Sequence, residues 1–159
     1  MSTSSPDSTL DGDRGELFLT PAGRQRLAAR RAELETLART LLERLADGNV
    51  DDTTAVTYRR ASEEFVRLTA ALEGARSVEE LTPDSHHVVL GDTVTACFPD
   101  GETGRYVIVD PLEAPFDERR ISSDSPLGRA LLGCHVGEVV EVDAPGGRYR
   151  CRVESADRL

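Results

Sequence analysis

Leucines recur every seven residues in the first third of the chain, at Leu27, Leu34 and Leu41, with Leu37 and Leu45 flanking the same stripe. That repeat predicts an amphipathic helix. Its start is well punctuated, with Thr20 as N-cap and Pro21 at the first helical position. Its end falls near Ala46, where Asp47-Gly48-Asn49 break the pattern. About 26 residues at 1.5 Å each make a rod of about 39 Å. A second stripe follows: Tyr58, Ala61, Phe65, Leu68, Leu72 and Ala75 alternate spacings of three and four. Thr53 or Thr54 would cap this helix, and Gly74 and the Thr82-Pro83 break end the helical region. Two apolar stripes joined by a short turn predict an antiparallel helical hairpin, a two-stranded coiled coil. Glu79 and Glu80 fall in the connection after it.

From His87 the period changes to that of strands. Val88-Val89-Leu90 lead through Gly91-Asp92 to Thr93–Phe98, and Pro99-Asp100-Gly101 marks a turn. Arg105–Val109 reads as the return strand, ended by Asp110-Pro111. A loop around Glu113–Glu118 precedes Arg119–Ser122. Ser125 and Pro126 open a short helix whose apolar face is Leu127, Ala130, Leu131 and Leu132, closed by Gly133. Val139–Val142 and Tyr149–Val153 flank Pro145-Gly146-Gly147, a final hairpin. This half is expected to be a small antiparallel sheet with one short helix, giving an α+β chain.

The remaining stretches are less patterned. Residues 1–16 are rich in Ser, Thr, Asp and Gly, with almost no large apolar side chains, and predict a flexible tail. Leu17, Phe18 and Leu19 form an apolar patch that could fold onto the hairpin or the C-terminal domain. The expected division is a tail over 1–16, a hairpin over 17–80 with an acidic tip at 48–54, and a sheet domain over 86–159.

Composition narrows the function. The net charge of −10 argues against independent DNA binding, because phosphate affinity comes from Lys and Arg. All 19 basic residues are Arg, which removes Schiff-base lysine chemistry. Aromatics make up only 4%, so a ring-lined ligand pocket is not expected. Cys97, Cys134 and Cys151 show no CxxC pairing and read as buried thiols in a reducing compartment. His86-His87 lacks acidic or thiol partners at ligand spacing. No apolar run reaches the roughly 18 residues that span a bilayer, and no leader pattern is present, so a cytoplasmic protein without membrane contact is expected.

Two features carry candidate chemistry. The turn Gly48–Tyr58 holds adjacent carboxylates, Asp51 and Asp52, at the far end of the hairpin. Asp is also favoured near a helix N-terminus for purely structural reasons. The first helix carries Arg24, Arg30, Arg31 and Arg39, either a solvated flank with ion pairs or a face turned toward RNA.

The stretch Ser122–Gly133, with Val136-Gly137-Glu138 and Ala144-Pro145-Gly146-Gly147, resembles the C-terminal signature of the Gre family, the bacterial transcript cleavage and elongation factors GreA and GreB. Leu19-Thr20-Pro21-Ala22-Gly23 resembles the start of the family's coiled coil, Tyr58–Phe65 its second helix, and Leu90–Val94 the first strand of its C-terminal domain. The resemblance covers about residues 17–157. It implies a helical hairpin on an FKBP-like domain that docks on RNA polymerase at the secondary channel. The hairpin would enter the channel and meet nascent RNA only inside that complex. Tip carboxylates would help hold a second Mg²⁺ at the polymerase active centre, where hydrolysis of backtracked RNA occurs. The factor itself would be no enzyme and would own no cofactor. Ser125, Pro126, Leu127 and Arg129 match the signature and become candidates for polymerase docking.

The tip departs from the family. The pattern there is Asp-Leu-x-Glu-Asn-x-Glu-Tyr after a Gly. Counting back from Tyr58 puts Asp51 at the Asp and Thr54 at the Glu; counting forward from Gly48 puts Asn49 at the Asp and Asp52 at the Glu. Either register loses or shortens one of the acidic pair, and the second helix is shorter than the family pattern. Two outcomes follow: Asp51 and Asp52 together replace the usual pair, or the protein occupies the channel without stimulating cleavage. Different classes remain open beside these, an FKBP-like prolyl isomerase and a Rnk-type regulator of a metabolic enzyme.

Overall fold

The structure is a computed structural model and describes residues 16–48, 51–81 and 87–158. Most of the expected tail, Asn49 and Val50 of the turn, the Thr82-Pro83 break and His86 lie outside those residues.

Helix α1 (Pro21–Ala46) and helix α2 (Asp52–Gly74) form the hairpin. Thr20 caps α1 as expected: its side chain accepts the Gly23 N–H at 2.9 Å. Leu27 and Leu34 are buried against Ala61 and Leu68, with Phe65 and Leu72 packed beside them, and Leu41 is buried farther along α1. Leu37 departs from the expectation and stays 40% exposed. It lies about 60° around the helix from Leu34, and one partner helix covers only a narrow seam.

The base of the hairpin is stitched together locally. Strand β1 (Phe18–Leu19) pairs in parallel with β2 (Arg76–Ser77), which settles where the apolar patch goes. Leu19 is wholly buried in the hairpin's own core. Glu16, expected in the tail, pairs with Arg76 at 3.2 Å. A 3-10 turn over Val78–Glu80 then buries Val78 against Gly91. Gly91 has φ +90°, and a Cβ there would stand 2.8 Å from a Val78 methyl, so both its backbone and its missing side chain are required.

The sheet contains β3 (Thr93–Cys97), β4 (Thr103–Val109), β5 (Arg120–Ser122), β6 (Val139–Ala144) and β7 (Gly147–Asp157), in the order β5-β4-β3-β7-β6. Three of the four pairings are antiparallel; β5 runs parallel to β4. The sheet is mostly antiparallel, as expected, with β5 the departure among the described strands. The Asp110–Arg119 connection is long enough to carry the chain back before β5 begins, which a tight hairpin is not. Helix α3 (Pro126–Leu131) covers one face. Val94, Ala96, Ile108, Leu131, Val140, Val142, Cys151 and Val153 form the core beneath it. Cys151 is buried, whereas Cys97 and Cys134 are only half-buried, and all three are free thiols.

The two parts meet at Glu113. Its side chain is fully buried. One carboxylate oxygen accepts the Thr20 backbone N–H at 2.7 Å. The other accepts the Thr20 hydroxyl at 2.6 Å and the Arg120 guanidinium at 2.7 Å. Arg120 also donates to the Thr20 hydroxyl at 3.1 Å. Alongside, Arg26 lies over the Phe116 ring at 5.9 Å and donates to the Phe116 carbonyl at 3.3 Å. Leu112 and Phe116 add apolar contact to the hairpin core.

The seam makes a direct prediction. Leu34→Ala removes a buried leucine from the middle of the hairpin and should cost about 3 kcal/mol. Leu37→Ala should cost no more than about 0.5 kcal/mol. Urea unfolding followed by far-ultraviolet circular dichroism measures both; equal losses would show that the seam has been assigned to the wrong face.

Candidate functional site

The hairpin tip is built by two helix ends. Helix α1 stops at Asp47, whose N–H donates to the Glu43 carbonyl at 3.1 Å, and Gly48 takes the left-handed conformation at φ +77°. On the far side Asp51, not Thr53 or Thr54, is the N-cap of α2, and its carboxylate accepts the Thr54 backbone N–H. A carboxylate three residues ahead of an orphan N–H, at the positive end of the helix, outcompetes a hydroxyl already inside the first turn. The side chain and amide of Thr54 hold the Asp51 carboxyl below its usual value. Asp52 is the first residue of α2 and is exposed.

The two carboxylates do not form a ready chelate. Asp51 is the extended cap residue and Asp52 the first helical one, so the two carboxylates leave the chain from different backbone conformations. One Asp51 oxygen is engaged by the cap. Among the described residues no group of three or more His, Cys, Asp or Glu gathers as a metal shell would require. Mg²⁺ takes hard oxygen donors and often only one or two carboxylates. The described residues of the tip offer one or two such donors. His87, whose ring centroid lies 4.1 Å from that of His135, belongs to no such group either.

The four candidate arginines among the six of the first helix separate. Arg24 does not face outward: its guanidinium donates to the Leu72 carbonyl at 3.1 Å and to the Ala75 carbonyl, closing the C-terminal end of α2. Arg30 bridges to Glu64 on the other helix at 3.1 Å and to Glu33 at 3.4 Å, and Glu64 first of all raises its pKa. Arg39 has a looser partner, Glu35 at 3.8 Å. Arg31 is half-buried on the hairpin surface. Of these four, Arg31 and Arg39 are the least engaged.

The signature residues of the sheet domain divide in the same way. The Ser125 hydroxyl donates to the Ser122 carbonyl at 2.7 Å and accepts the Gly128 N–H at 3.0 Å. Pro126 opens α3, Leu127 packs on the core, and a Cβ at Gly128 would overlap the Ser122 carbonyl. These build the helix. Arg129 alone of the four is exposed, in the last turn of α3.

Sequence reasoning missed Glu113. It sits in a stretch read as a solvent loop, and its partner Thr20 is 93 residues away. The signal available was Gly23, one turn into a helix where Ala would be favoured by about 1 kcal/mol. A Cβ at Gly23 would overlap the Glu113 carboxylate.

A two-helix rod seated on a small sheet domain, with its carboxylates at the far end, defines a hairpin-bearing two-part protein with no membrane-spanning helix among the described residues. A family model described as "Transcription elongation factor, GreA/GreB, C-term" matches residues 83–158. The transcription elongation factor GreA of Thermomicrobium roseum is 33% identical over 84% of this chain and 94% of its own length. The GreA of Thermotoga neapolitana is 39% identical over a shorter match, 59% of this chain and 60% of that one. Among solved structures, the GreA factor homolog 1 (Gfh1) of Thermus thermophilus is 32% identical, covering 89% of this chain and 98% of that one with a TM-score of 0.40. The chain belongs to the GreA/GreB family of transcription elongation factors.

The cap and the charge of Asp51 can be separated. Asparagine caps as well as aspartate, whereas alanine does not. Asp51→Asn should keep the helical signal of α2, and Asp51→Ala should lose about one turn, roughly four residues. Because the folded carboxyl titrates below its ordinary value of 3.8, the ionised cap is fully formed above that pH. It is lost as pH falls through the lower folded value. Circular dichroism from pH 6 to 2 should show this loss in the wild type and not in Asp51→Asn; identical curves would remove the capping role.

Proposed function

We propose that the protein binds RNA polymerase at its secondary channel, seats its sheet domain at the channel mouth and inserts the hairpin, regulating elongation by occupying the channel. The observation that carries this reading is the state of the tip. Asp51 is held as a helix cap, with one carboxylate oxygen engaged by the Thr54 N–H, so the tip has one donor fewer to offer than two uncommitted carboxylates would. A rod about 39 Å long still fills a passage, whatever its tip chemistry. Arg129 is the side chain of the signature region best presented to the polymerase. Arg31 and Arg39 would meet nascent RNA, and only within the complex. With a net charge of −10 the protein has no DNA-binding role of its own. It is an accessory factor, not an enzyme, and works in the cytoplasm with the polymerase.

A second reading rests on the exposure of both tip carboxylates. Asp52 and the uncommitted oxygen of Asp51 would lend ligands to a Mg²⁺ held mainly by the polymerase, an ion that activates water and stabilises a leaving oxygen when bound. In that case the chain's own part is to deliver two hard oxygens and to exclude bulk water.

Stalled, backtracked polymerase complexes separate the two. The occupancy reading expects no short RNA released above the polymerase-alone level. It expects slower nucleotide addition with wild type and Asp51→Asn/Asp52→Asn alike, because the obstruction is steric. Release of short RNA by wild type, lost in the double variant, would replace it with the cleavage reading. Failure of wild type to bind polymerase would remove both.

A further inference from the structure

We infer that Glu113, Thr20 and Arg120 form a latch that aims the hairpin, making Glu113 a positioning residue for the tip although it lies at the opposite end of the rod. The inference rests on the channel-occupancy reading and deepens it.

Three observations converge. The Glu113 carboxylate is fully buried and accepts from both polar atoms of Thr20 and from Arg120. Thr20 is itself the cap of α1, so the same residue that starts the helix is gripped by the sheet domain. Arg120 opens β5 and is thereby tied to the sheet through β4. A single contact would act as a pivot; this set fixes position and twist, because the two Glu113 oxygens take separate donors on one residue. The Gly23 cradle is the third observation. The helix omits a side chain at the place where the carboxylate must lie against it. A solvated hinge has no use for that omission.

Leverage gives the latch its consequence. At the end of a rod about 39 Å long, a swing of about 10° at the base carries the tip about 7 Å sideways. That is more than half the width of a helix, enough to turn entry into collision with a channel wall. The sheet domain would still dock, since its surface is unchanged. Loss of the latch should therefore separate binding from effect.

Two variants test this in the full-length chain. Glu113→Gln keeps the shape and removes the charge that Arg120 needs. Gly23→Ala removes no polar group and favours the helix, but its methyl displaces the carboxylate. Dyes placed through unnatural residues at Glu43 and Thr103, both exposed, report the distance from hairpin end to sheet by single-molecule energy transfer. A narrow distribution is expected for wild type and a broadened or shifted one for both variants, with circular dichroism showing unchanged helicity. Polymerase affinity should stay within about twofold, while slowing of nucleotide addition at saturating factor falls about tenfold. Unchanged distance distributions in both variants would overturn the latch. So would affinity and effect falling in parallel, which marks a merely structural role. Should wild type neither bind nor slow polymerase, the functional reading fails, and the distance distributions decide the latch independently.

Discussion

A buried carboxylate at the start of a helix is the interaction on which this architecture depends. An ionised Glu113 with no exposed surface would be strongly unfavourable alone. Four features offset that: a backbone N–H, a hydroxyl, a guanidinium and the positive end of α1. None of these groups is satisfied equally well without the others. Arg120, only slightly exposed, would be left as an uncompensated charge if Glu113 were absent. Thr20 would lose the acceptor for its backbone N–H. The first turn of the hairpin and the start of β5 are therefore held to one another through Glu113.

The rest of the chain follows from two cheaper devices. The hairpin is held by a narrow apolar seam, supplemented by Arg30–Glu64 across the helices and by Arg24 at the end of α2. The sheet domain is held by alternating burial on β3, β6 and β7 beneath a single short helix. The acidic excess sits on the outside, where arginine side chains pair with it in several places.

Much of this was legible in the amino-acid order. The bounds of α1, the capped α3, the closing hairpin of β6 and β7, and the family resemblance all followed from local punctuation and period. What stayed hidden depends on distant partners. Leu37 has the spacing of a seam residue, yet only a third helix could have covered it. Asp51 displaced the threonines as cap because geometry, not residue preference alone, chose the acceptor. Arg24 reads as part of a basic flank until the end of α2 arrives beside it. Glu113 has no local signal at all, and β5 could not be oriented before the length of its connection was given a path. At the tip, the presence of two carboxylates was visible; the capping bond that commits Asp51 was not.

The junction draws on positions 20, 113 and 120: the cap of α1, the connection between β4 and β5, and the first residue of β5. The rod is thus not a detachable module. A chimaera that grafts a relative's hairpin onto this sheet domain would inherit a socket cut for Thr20 and Gly23. It would sit straight only if the donor brought both along. Compatibility between halves, and not the quality of either half, sets which hybrids of such proteins can be assembled.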